Sequence, residues 1–177
     1  MRLSCGTRGL AFFAVIIGSF ILGSAFGAAV CFFSSAAVMP SDSDFIASGF
    51  ISVFIGLLAF PLAAFFLGFS ASGVLLIPVL SVLRGFSAAL CAYYMLGFFG
   101  FGSAYWIFFA ASAASCSVFI NFAFFALRSS SCIIQKLFIP ELKSSSGFGE
   151  YIKSSALLFA IIFAIGALEF FSVPLFI

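Results

Sequence analysis

The hydrophobic pattern is five long apolar runs separated by short polar breaks. The runs cover about residues 10–33, 45–69, 74–99, 104–127 and 154–176. Each holds about 23 to 26 residues, or roughly 35 Å of α-helix at 1.5 Å per residue. That length crosses a hydrocarbon core of about 30 Å with some tilt. Within each run the apolar residues are continuous. They do not alternate with polar ones, as a membrane β-barrel requires. Helices satisfy every backbone amide internally, which the bilayer interior demands. The expected fold is therefore all-α: a polytopic transmembrane bundle of about five spans forming one integral membrane domain over residues 1–177.

The breaks differ in character. Residues 34–44 form a polar turn stretch closed by Pro40, Asp42 and Asp44. Residues 70–73 (SASG) and the glycine-rich 97–103 (GFFGFGS) are tight turns. The longest connection is 128–153. Within it, Ile133, Ile134, Leu137 and Phe138 share one helical face, so a separate interfacial helix over 131–139, ended by Pro140, is expected. It reads as a simple connector or as a docking surface for a cytosolic partner. Pro61 and Pro78 are expected to bend the second and third spans. Pro174 lies near the exit of the fifth.

Composition sharpens this picture. Apolar residues make up 65% of the chain and charged residues 7%, against about 25% charged in soluble domains. That excludes a soluble globular domain, a disordered chain and a coiled coil. A net charge of +2, with no basic patch interleaved with aromatics, gives no case for nucleic acid. The five cysteines show no CxxC spacing, and with no His a Cys/His metal site is excluded. No metal or cofactor is expected. The first run is longer than the h-region of an export signal and is read as a retained helix.

The placement of the charges orients the bundle. Arg2 and Arg8 precede the first run, and Arg128, Lys136, Lys143 and Lys153 all lie between the fourth and fifth. With five spans both regions fall on one side. The opposite loops carry no Lys or Arg, and one carries Asp42 and Asp44. The positive-inside rule then puts the N-terminus in the cytoplasm and the C-terminus outside. The expected location is a cell membrane, the cytoplasmic membrane of a bacterium, with multiple passes through the lipid bilayer.

Two charges remain inside the spans, Arg84 and Glu169. Intramembrane charges are expensive and are normally paired or line a cavity. Counted from the cytoplasmic side, both fall in the central to outer part of the membrane, so they are candidates to pair across the bundle. The pair would be a structural clamp, a relay or a substrate-facing site. Asn121 is a lone amide in the fourth span, of a kind that bonds across helices. Small residues recur every fourth position at Ser19, Gly23 and Gly27, and again at Ala156, Ala160 and Ala164. Such faces let backbones approach, within one chain or between copies in a homo-oligomer. No catalytic constellation is present: there is no nucleophile elbow and no Walker lysine, so an enzyme is not expected.

Three stretches resemble the stage II sporulation protein M family of multi-span membrane proteins. They are LAFFAVIIGSFILGSAFGAA, GLLAFPLAAFFLGFSASGVLLIPVLSVLRGFSAAL and EYIKSSALLFAIIFAIGALEFFSVPLF. Pro78 followed by Arg84, Gly85 and Phe86 looks like the family's central proline and basic-Gly-Phe element. Glu169 and Pro174 look like its terminal Glu and Pro. The helix after this element, WIFFAASAASCSVFIN, lacks the proline that family members often carry there. The resemblance implies a non-enzymatic membrane scaffold that, in spore formers, positions cell-wall-remodelling partners. The alternative reading is a small transporter or a permease-like subunit of an ABC-type export system.

Overall fold

A computed structural model describes residues 5–33, 58–99, 101–138 and 147–172. It is an all-α bundle. Helix α1 spans Cys5–Phe33, α2 is described over Leu58–Gly68, α3 spans Gly73–Phe99, α4 spans Ser103–Phe138 and α5 spans Gly147–Ser172. Three of them contain stretches long and apolar enough to cross a membrane: Gly9–Phe33, Gly73–Gly97 and Tyr105–Gln135. The 34–44 turn, the first part of the second run and Pro140 lie outside the described residues. So does Pro174.

Contacts fix the helix directions. Gly23 faces Val82 and Gly27 faces Phe86, so α1 and α3 run parallel. Arg84 meets Ser115 and the turn before α3 meets Ser130, so α4 runs against α3. Phe60 meets Phe119 and Phe65 meets Phe122, so α2 runs with α4. Tyr151 meets Phe69 and Phe159 meets Phe65, so α5 runs against α2. Directions alternate along the chain. The short links at 69–72 and 100–102 allow nothing else, because a few residues join only adjacent, antiparallel helices.

The core is built around α4. Phe119, Phe122, Ala123, Ala126 and Leu127 supply five of the nine residues of the buried apolar cluster, joined by Ile16, Ala64, Ile77 and Tyr151. Their spacing of three and four residues makes one helical stripe. Phe65 of α2 lies against this stripe. Its ring is edge-on to Phe122 at 6.5 Å and Phe159 at 5.8 Å, and stacked on Tyr151 at 5.9 Å. In lipid the tails are as apolar as the side chains, so dispersion and ring geometry hold such helices together.

Among the described contacts of α1, α3, α4 and α5, the α1–α3 seam is the most extensive. A Cβ on Gly23 would meet the Val82 carbonyl, and one on Gly85 would meet the Phe20 carbonyl. A Cβ on Gly27 would lie 2.8 Å from the Phe86 carbonyl. The two backbones touch because side chains are missing on both sides. Ser24 uses the proximity: its hydroxyl donates to Phe20 O at 3.0 Å and reaches Gly85 O at 3.3 Å.

One expectation is corrected here. Residues 131–138 do not form a separate interfacial helix over 131–139. They prolong α4 without a break from the fourth apolar run to Phe138. The polar run from Arg128 to Ser131 resembles a helix end, yet Ser130 stays inside the helix. Its hydroxyl donates at 2.6 Å to the Ser70 carbonyl, which also accepts the Gly73 N–H at 3.2 Å in the α2–α3 turn. Tyr151 serves the end of α2. Phe69 N–H turns back to Phe66 O, leaving the Phe65 carbonyl as an orphan of the helix end, and the Tyr151 hydroxyl donates to it at 3.0 Å. In a water-poor site such a bond contributes about 1 kcal/mol, and its loss strands a carbonyl at about 1–3 kcal/mol. Pro78 lies inside α3 and does not end it.

Candidate functional site: a half-buried arginine at the crossing of three helices

Arg84 is eleven residues past Gly73 and nine before Tyr93, about 17 Å and 14 Å by helical rise. It therefore sits near the middle of α3. Its Nη2 donates to Ser115 Oγ of α4 at 2.8 Å. Its guanidinium carbon lies 5.5 Å from the centre of the Phe60 ring of α2. Ser115 is buried and its hydroxyl donates to the Ser112 carbonyl at 2.9 Å. The serine is thus set as an acceptor for the arginine.

These contacts offset part of the cost of the charge. An arginine at the centre of a spanning helix costs about 3 kcal/mol on insertion scales. A hydrogen bond involving a charged group contributes about 1.5–3 kcal/mol, and a desolvated cation–ring contact about 1–2 kcal/mol. Arginine suits this place because its planar fork can bond one neighbour while its face lies on a ring.

The three residues Arg84, Gly85 and Phe86 reach different neighbours. Arg84 goes to α4 and α2. Gly85 abuts the backbone of α1. Phe86 packs on Phe26 of α1, with ring centres 5.9 Å apart. The triplet is where α1, α2, α3 and α4 are tied together.

The other sequence candidates fall as follows. Gly23 and Gly27 are buried in the α1–α3 seam, and Ser19 is half-buried on α1. Ala156, Ala160 and Ala164 lie on the exposed side of α5, whose inward residues are Tyr151, Ser155, Ile162 and Gly166. Asn121 is exposed and donates to Ser117 O of its own helix at 2.9 Å. Glu169 is on α5, with its side chain outside the described residues, so its pairing with Arg84 falls outside them too. Among the described residues α5 packs against α4 and not against α3. Also among the described residues, no three His, Cys, Asp or Glu side chains come together. Ser115, Phe60 and Ser130 were not singled out by sequence reasoning. Ser115 lies in a small-residue stretch where a hydroxyl reads as packing.

The two ends of the bundle differ chemically. At one end Tyr93, Tyr94 and Trp106 are exposed, with Tyr105 stacked on Phe109 beneath them. At the other, Arg8 lies on α1, Arg128 and Lys136 on α4 and Lys153 on α5. Between them large apolar side chains face outward: Ile21, Leu22, Leu75, Leu83, Leu157 and Phe163 are all more than half exposed.

No family model, no curated protein and no solved structure matches the chain. The class the fold defines is an apolar helical bundle with the character of a membrane protein.

Proposed function

We propose that the protein is a multi-pass integral membrane scaffold of the sporulation protein M type, with five spans and a cytoplasmic N-terminus. The observation that carries the membrane placement is the separation of the two polar girdles. Trp106 and Arg128 are twenty-two residues apart on α4. That distance is about 33 Å, close to the thickness of a hydrocarbon core. On α3, Tyr93 lies about 30 Å past the helix start at Gly73, in keeping with it. Tyr and Trp favour the membrane–water interface, and cations favour the cytoplasmic side.

Within that slab Arg84 is at the midplane. A structural role for it is supported by its described partners, Ser115 and Phe60, which are both parts of the bundle. The family-like motif Pro78, Arg84, Gly85 and Phe86 then acts as a helix junction, and Glu169 is the proposed counter-charge. The scaffold would hold other membrane proteins or cell-wall-remodelling partners.

Purification of the tagged full chain in mild detergent, with mass spectrometry of what comes with it, tests the assignment. Cell-wall hydrolases, lost on washing from a tagged unrelated membrane protein of similar size, are the expected companions. Stoichiometric recovery of an ATPase subunit would overturn the scaffold and leave the permease-like reading in its place.

A further inference from the structure

Four cations stand on three helices at one end of the bundle. Alternating helix directions bring them together: α1 begins there, α4 ends there and α5 begins there. Arg8 lies five residues before Phe13, and Arg128 four residues after Phe124. Phe13 and Phe124 are in ring contact at 6.0 Å. The two arginines therefore sit about 6–8 Å beyond one shared level. Lys153 is exposed. Phe122 and Phe159 are in ring contact at 5.0 Å, with Arg128 six residues after the first and Lys153 six before the second, so both stand about 9 Å beyond that level toward the same end. Glu150 on α5 is the one acidic residue among the described residues there.

The depth of these groups is set by the slab derived above, on which this inference rests. Arg128 lies at the hydrocarbon boundary. Helix α4 then runs ten residues further to Phe138, about 15 Å. The headgroup layer of one leaflet is roughly 5–8 Å thick, so the overhang crosses it, with Arg128 at the inner edge and Lys136 on the water side. Arg128 and Lys153 are both exposed, so their charges are open to whatever occupies that layer.

We propose that this end of the bundle selectively binds anionic phospholipid headgroups. The Arg128 guanidinium and the Lys153 ammonium take the phosphate oxygens. A guanidinium is suited to phosphate because its fork matches two oxygens at once. A lipid occupant is favoured over a soluble acidic protein because the groups lie within the leaflet that the helix itself crosses. A cation close to an anionic surface is worth roughly a fivefold gain in affinity.

The test uses the full chain in vesicles of equal phosphatidylcholine and phosphatidylglycerol, followed by mild-detergent extraction and quantification of the lipid retained. Quenching of the sole tryptophan, Trp106, by chain-brominated phosphatidylcholine is read in parallel as the report of insertion. The wild-type chain should retain the anionic lipid about fivefold or more over the neutral one. The R128Q/K153Q variant should lose at least two-thirds of that preference, while S103Q at the far end keeps it. Quenching together with equal retention of both lipids would overturn the lipid site alone. Absence of quenching would overturn the membrane placement beneath it. Retention favouring the anionic lipid equally in R128Q/K153Q would show that these two side chains are not the site.

Discussion

Replacing Gly23 by alanine should destabilise the bundle by about 2–3 kcal/mol, and replacement by leucine should prevent its assembly. The new Cβ would point at the Val82 carbonyl, which belongs to the backbone of α3 and cannot swing aside as a flexible side chain would. The helices must separate, and the loss spreads along the seam to the Gly27 and Gly85 contacts and the Ser24 bond. Overpacking of this kind typically costs about 1–3 kcal/mol. Gly18 is the internal control. Nothing lies within 4 Å of its added Cβ, so G18A should be neutral or stabilising by about 0.5–1 kcal/mol, since alanine is the better helix former. Unfolding in mixed detergent micelles, followed by circular dichroism, distinguishes the two. Equal effects of G18A and G23A would contradict the seam.

The second large effect concerns Arg84. The R84E variant should lose about 2.5–5 kcal/mol, from a hydrogen bond of a charged group at about 1.5–3 kcal/mol and a cation–ring contact at about 1–2 kcal/mol. It removes the donor to Ser115 and the cation over Phe60. It also places a carboxylate at the depth where the proposed counter-charge is already negative. If Glu169 is that counter-charge, the double reversal R84E/E169R should recover most of the loss in the same unfolding assay. A double variant no more stable than R84E, with both proteins still inserted, would remove Glu169 from the account. Arg84 would then rest on its described partners, among them Ser115 and Phe60.

Much of the fold was legible in the sequence because the bilayer leaves few choices. Continuous apolar runs admit only helices, and the polar break at 70–73 was legible as a tight link, whereas residues 97–99 of the glycine-rich stretch remain in α3. The period-four face of Gly23 and Gly27 was legible as a face. Its partner was not, because small residues say that something comes close without saying what. Gly85 answers this from the other side: one glycine in an Arg-Gly-Phe triplet carries no packing signal until α1 is laid on it. The continuation of α4 through Arg128 to Ser131 was misread for a related reason. Serines inside a helix look like a break in one dimension, whereas Ser130 serves a turn sixty residues earlier in the chain. The same holds for Ser115 and Tyr151, whose hydroxyls meet groups on other helices. Long-range hydrogen bonds of single residues leave no periodic trace.

The central claim is that the basic and aromatic ends of the bundle lie on opposite sides of a membrane, with the basic end cytoplasmic. Thiol labelling of single-cysteine variants in sealed, right-side-out vesicles tests it most directly. In a background with the five native cysteines replaced, S103C marks the aromatic end and Q135C the basic end, both at exposed positions. A membrane-impermeant maleimide should label S103C in intact vesicles and Q135C only after they are opened. Labelling of both variants in intact vesicles, or of Q135C alone, would contradict the account.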